Sequence, residues 1–165
     1  MSVRELRLLG DPVLRQPAAP VGTVSAATRA LIGDMFETMY AEEGVGLAAP
    51  QVGVSERVIV IDSHEEGVDP FALINPVIRE FSPETDRAEE GCLSIPGLKE
   101  IVERSLRVVV EGLDPHGAPA RIDAEGLLAR ILQHEVDHLD GILFFDRVSP
   151  LKRRLLLERW KKLRA

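Results

Sequence analysis

The stretch QHEVDHLDG, residues 133–141, sets His134 and His138 four positions apart and Glu135 directly after the first histidine. On a helix, that interval stacks both imidazoles on one face, about 5–6 Å apart at Cβ, close enough to hold one ion. Glu135 lies about 100° further round, able to reach a metal-bound water without being a ligand. A catalytic zinc commonly takes three protein ligands, so the stretch is one ligand short.

Outward from this motif, helical periodicity spans 126–139. Leu127, Ile131, His134 and His138 share its inward face, and Leu128, Leu132, Glu135 and Leu139 form the adjacent stripe. Upstream, LRVVVEGL (106–113) and PARIDAE (119–125) flank the turn signal DPHG and read as a hairpin. In its second arm Ala120, Ile122 and Ala124 face one way and Arg121, Asp123 and Glu125 the other. RVIVID (57–62) reads as a buried strand. FALINPVIREF (71–81) is extended, with Pro76 at a sheet edge or a bend. SAATRALIGDMFETMYA (25–41) reads as a helix capped by Ser25, with Leu31, Met35 and Met39 recurring along it. A last helix starts after Ser149-Pro150. Strands first, and a metal-bearing helix packed on them, predict an α+β fold.

The 165 residues suit one domain over 1–165 with a real core. Aromatic residues make up only 4%, so that core is aliphatic. No apolar run approaches the roughly 18–20 residues of a membrane span, and MSVRELRLLGDP lacks the apolar block of a signal peptide. A single cysteine excludes an intrachain disulfide and fits a reducing compartment, by default the cytoplasm. The net charge of −7 argues against DNA binding. It is uneven, however: residues 150–165 carry seven Lys/Arg and one Glu, a local +6 that leaves −13 on residues 1–149. A basic tail on an acidic body suggests one anionic docking partner, or simply a solvated helix face.

Three positions compete for the third ligand. The longer zinc-protease pattern demands Gly three and His six residues after the second histidine; Gly141 fits, but Phe144 cannot ligate. Glu158, 20 residues after His138, lies in a strongly basic helix with Arg154 and Lys162 as natural i±4 partners. Cys92, the chain's only thiol, lies in EEGCLSIPG (89–97). A thiolate is a strong ligand for such metals, although a lone cysteine is more commonly a small buried hydrophobe. On the residues alone, Glu158 and Cys92 both remain open.

GVGLAAPQ (44–51), EGCLS (90–94) and QHEVDHLDG, in this order, resemble the three signature motifs of peptide deformylases, GxGxAAxQ, EGCxS and HExxH. DPVLR (11–15) and INP (74–76) are also similar, so the resemblance covers nearly the whole chain. The CLS form and the basic last helix resemble the bacterial type with a helical tail. The resemblance implies antiparallel sheets around the metal helix, with Cys92, His134 and His138 as ligands. It makes Glu135 the general base and Gln51 and the Leu93 backbone N–H the oxyanion donors. Gly46 lines the site and offers backbone hydrogen bonds to substrate. By the helix arithmetic, Leu127 and Ile131 border an apolar cavity with Val45, suited to a methionine side chain. The implied metal is one Fe²⁺ per chain, with Zn²⁺, Ni²⁺ or Co²⁺ as substitutes.

The implied reaction removes the N-formyl group of formylmethionyl peptides, giving formate and a free amino terminus. Lys152, Arg153, Arg154, Arg159, Lys161 and Lys162 would carry a ribosome contact, with Leu156, Trp160 and Leu163 anchoring the tail helix. Many relatives carry Arg where this chain has Lys99 beyond IPG, a difference that bears on peptide preference. Asp137 and Asp140 flank the metal helix and could orient its ligands, but read first as solvated helix acids, and Glu90 with Arg104 as a supporting ion pair. Two other readings are a zinc metallopeptidase using Glu158 and a binding module that kept the fold. Intact Glu135 and Gln51 count against the second.

Overall fold

The computed structural model describes residues 2–164; Met1 and Ala165, the two ends of the predicted domain, lie outside them. Helix α1 (Ala26–Ala41) begins at Ser25, whose hydroxyl accepts from the Thr28 amide at 3.4 Å while the Thr28 hydroxyl accepts from the Ser25 amide at 3.2 Å. This reciprocal cap satisfies two amides that the helix end leaves free. Seven strands follow among the described residues: β1 (Gly46–Ala48), β2 (Val58–Ile61), β3 (Phe71–Phe81), β4 (Thr85–Cys92), β5 (Ile95–Ser105), β6 (Arg107–Leu113) and β7 (Pro119–Glu125). Helices α2 (Leu127–Leu139) and α3 (Pro150–Arg164) close the chain. The architecture is α+β with antiparallel sheets, as the sequence predicts.

Five strands form one antiparallel sheet in the order β1-β2-β3-β6-β7. Its two faces account for the unbroken apolar run of β2. Ile59 and Ile61 point to α2, meeting Leu132, Val136 and Leu139, whereas Val58 and Val60 point to α1, meeting Leu31, Met35 and Met39. A strand covered by helices on both faces has no polar side to show. At the far end of the sheet only one face is covered, and β7 alternates as expected, with Arg121, Asp123 and Glu125 exposed.

Pro76 departs from half of its expectation. Strand β3 is interior, paired with β2 on one side and β6 on the other, so Pro76 is not at an edge. It sits instead in a register break between Ile74 and Val77, where the ladder does not call on its missing N–H. Asn75 adopts φ 53° beside it. Gly112 faces the bulge: a Cβ there would stand 2.9 Å from the Ile74 carbonyl oxygen, so only glycine allows the approach.

Strands β4 and β5 form a separate two-stranded sheet, which the sequence reading did not foresee as a hairpin. Its support is a third cluster, in which Ile95, Leu98 and Val102 pack on Leu143, Phe144, Phe145, Leu156 and Trp160. Several of the chain's few aromatic residues gather here, and they tie α3 to the hairpin. Leu156 and Trp160 anchor α3 as expected, but Leu163 is 56% exposed. It lies two turns beyond Leu156, at the rim of the body, with its Cδ1 over Gly97 of β5.

Candidate metal centre and active site

Cys92 ends β4, while His134 and His138 stand one turn apart on α2. Their ligand atoms lie within 4.8 Å of one another, and the Cys92 Sγ is 3.3 Å from His138 Nε2. Among the described residues this is the one such cluster, and exposed Glu158 on α3 is not in it. The Glu158 alternative therefore fails: its helix packs through Leu156 and Trp160, which turns Glu158 to solvent.

Each donor is prepared by its surroundings. His134 Nδ1 lies 2.9 Å from Glu90 Oε1, which leaves its Nε2 for the centre. Burial, then the neighbouring His134, holds His138 well below the ordinary imidazole range, keeping it in the neutral form that ligates. Burial also opposes charge on His134. Glu135, Cys92 and Glu90 outweigh it and draw positive charge to that ring. A cation in the triad answers the same demand. Glu135 Oε1 and His138 Nδ1 are buried without a hydrogen-bond partner, an uncommon state for buried polar atoms. A thiol, two imidazoles and an unsatisfied carboxylate beside them fit a divalent ion with three protein ligands and one open position.

Glu135 is 4% exposed, and burial pushes its carboxyl up to about 7; His134 opposes that shift and Glu90 reinforces it. Strand β1 lies directly over it. A Cβ on Gly46 would come within 2.6 Å of Glu135 Oε2 and 2.9 Å of Ile131 Cγ2, so glycine is required there. Gln51 is fully enclosed in a single 3₁₀ turn after β1. Its Oε1 accepts from the Ala48 amide at 2.9 Å, and its Nε2 donates to Ser94 Oγ at 3.1 Å and faces Cys92 Sγ at 3.6 Å. Leu93 follows the thiol, and its side chain covers Gly44, where a Cβ would be 2.7 Å from Leu93 Cδ1.

The triad opens into a pocket of about 390 Å³. Ile131 is buried at its base, while Leu127 and Val45 are 46% and 38% exposed on its walls. Glu43, Glu89 and Lys99 stand on its lining, with Lys99 Nζ 4.0 Å from Glu89. The site residues named from sequence thus converge on one cavity, with His138 behind the others.

Two expectations about supporting residues change. Asp137 is not a solvated helix acid: it is 8% exposed and accepts from Arg104 at 2.6 Å and Arg147 at 2.8 Å. Asp140 does face solvent, paired with Arg57 at 3.0 Å. The Glu90–Arg104 pair exists at 2.8 Å, but Glu90 also receives Arg130 at 2.7 Å and touches His134. Arg130, His134 and Asp137 repeat at +4 and +3 along α2, a polar stripe visible in the sequence once a partner strand is supposed.

Glu90 lets the network's stability be tested against pH. Burial would raise its carboxyl, but hydrogen bonds from His134 and Arg104 and the guanidinium charge outweigh burial and hold it far below the usual range. Because the folded value lies below the unfolded one, near 4.3, the stability is present above that value and is lost as pH falls through the folded one. In metal-free protein, E90Q is expected to lose about 3–5 kcal/mol at neutral pH, leaving Arg104 under-compensated. Denaturant titrations of the two proteins should converge in strong acid.

An antiparallel α+β fold holding a Cys/His₂ centre and a buried glutamate beside an apolar pocket defines a metal-dependent hydrolase. The model for polypeptide deformylases matches residues 3–154, and the chain belongs to that family, whose members remove the N-formyl group from nascent peptides. It is 48% identical over 164 residues to the peptide deformylase of Rhizobium meliloti, covering 98% of this chain and 94% of that one. It is 55% identical over 156 residues to that of Halothermothrix orenii, covering 94% and 100%. The crystal structure of a peptide deformylase from Legionella pneumophila superposes with a TM-score of 0.92 at 45% identity, covering 99% and 96%. That of the Ehrlichia chaffeensis enzyme in complex with actinonin gives 0.91 at 42% identity, covering 98% of each.

Proposed function

We propose that Glu135, Gln51 and the Leu93 amide carry the deformylation of N-formylmethionyl peptides on a single divalent cation held by Cys92, His134 and His138. Fe²⁺ is the native ion in this reading, with Zn²⁺, Ni²⁺ or Co²⁺ as substitutes. When bound, such an ion acidifies a coordinated water toward neutrality and polarises a carbonyl oxygen. The observation that carries the reading is the buried, unpaired carboxylate of Glu135 beside the triad, under the Gly46 edge of β1.

Glu135 takes a proton from the attacking water. As the C–N bond breaks, it returns that proton to the departing amine, so the products are formate and a free amino terminus. Gln51 Nε2 and the Leu93 N–H donate to the formyl oxygen as it gains charge. The Gly46 backbone pairs with the peptide in strand fashion, and Val45, Leu127 and Ile131 receive the unbranched methionine side chain. The test is release of formate from a formyl-Met tripeptide without internal cleavage; fragments without formate would sink the proposal. Q51A is expected to lower kcat by about 10²–10³-fold through loss of one oxyanion donor. Its metal content should match wild type, a point settled by elemental analysis of the variant.

We further propose that the basic tail docks on ribosomal RNA and that the enzyme works in the reducing cytoplasm; the local charge of +6 on residues 150–165 supports this reading. Lys152 and Arg153 already pair with Glu100 at 3.5 Å and Asp146 at 3.2 Å on the body. The contact therefore falls chiefly to Arg154, Arg159, Lys161 and Lys162. Reversing these four charges should abolish co-sedimentation with ribosomes, and added salt should weaken the wild-type association steeply. Salt-independent association would contradict this docking.

A further inference from the structure

The hairpin β4–β5 has no ladder bond to the five-stranded sheet, yet it delivers one of the three converging donors, Cys92. Its apolar support from Phe144, Phe145 and Trp160 is non-directional and sets no register by itself. Something directional has to seat the thiol against the two imidazoles, which arrive on a different element.

Arg130 lies one turn before His134 on α2 and is 5% exposed. One guanidinium nitrogen donates to Glu90 Oε2 at 2.7 Å and to the Val102 carbonyl at 2.9 Å. The other donates to the Asp86 carbonyl at 3.0 Å and to Asp86 Oδ1 at 2.9 Å. These four acceptors lie on both strands of the hairpin, and two of the three residues are on β4, the strand that ends at Cys92. A buried guanidinium is costly unless its donors are satisfied, and here the hairpin satisfies them. The planar fork fixes direction as well as distance.

We propose that Arg130 is a positioning residue that locks the thiol-bearing hairpin onto the histidine-bearing helix and so sets Cys92 at the distance from His134 and His138 that a metal requires. Gln133, which bonds Ser105, and Arg104, which bonds Asp137, assist at the other end of the same seam. Arg130 lines the pocket but bonds none of the three donors; it acts through the placement of β4.

The inference rests on the Cys/His₂ reading of the centre, and one experiment separates the two. Co²⁺ is added to chelator-stripped wild type, R130M and R130K while the thiolate-to-cobalt charge-transfer band and the affinity are followed. Wild type should show the band; its absence there would overturn the Cys/His₂ centre and this inference with it. R130M, similar in length but without donors, should bind Co²⁺ about 10–100-fold more weakly, with a diminished or shifted thiolate band. R130K, with charge but a single nitrogen, should recover part of the loss. An R130M protein with wild-type affinity and band, even at a lowered thermal midpoint, would leave Arg130 merely structural and overturn the inference, as would a lysine no better than methionine. Should R130M fail to fold, D86A serves, because the Asp86 side chain is 46% exposed. It should weaken Co²⁺ binding several-fold, and unchanged binding overturns the proposal.

Discussion

E135Q lowers kcat by about 10²–10⁴-fold, the ordinary worth of a positioned proton carrier, while the protein keeps its metal. The amide has nearly the carboxylate's shape, so the close fit under Gly46 survives, and Glu135 is not among the converging donors. What the variant loses is the ability to accept a proton. Burial holds the carboxyl at about 7, near working pH, where a group can both take a proton and give it back. Parallel measurement of formate release and metal content checks this, and loss of metal in E135Q would show that the glutamate is a ligand.

C92A is the second large effect. Removing a ligand costs more than the roughly 10–100-fold loss in metal affinity typical of an outer partner. Metal at stoichiometric loading and formate release should both fall to background. The fold should survive, since Cys92 is a partly exposed residue on the margin of the third cluster, and alanine leaves that packing largely intact. Unchanged metal binding in folded C92A would remove the thiol from the centre and reopen the search for a third ligand.

The elements that short-range rules dictate are legible, among them the helix that carries two of the three donors. The His134–His138 interval, the Ser25 cap, the apolar run of β2 and the alternation of β7 are each local signals with one physical solution. The hairpin β4–β5 was not legible. TDRAEEG carries charge at four of its seven positions because one side meets solvent and the other meets the polar stripe of α2, so no apolar period marks it as a strand. Asp137 was misread for the same reason: an acid on a helix reads as solvated unless the arginines that bury it, Arg104 and Arg147, are known to be near. Those two lie 33 residues upstream and 10 downstream. Pro76 was read as an edge or a bend because sequence shows the missing N–H but not the bulge that makes the omission harmless. For the third ligand, spacing left Cys92 and Glu158 level. Motif resemblance favours Cys92, and the fold brings its Sγ to 3.3 Å from His138 Nε2.

The most direct test of a single-ion Cys/His₂ centre is formate release from a formyl-Met peptide as Fe²⁺ is returned anaerobically to chelator-stripped protein. Activity should rise linearly from background to a sharp break at one ion per chain. Full activity without added metal, or a rise that continues unchanged in C92A, would contradict it.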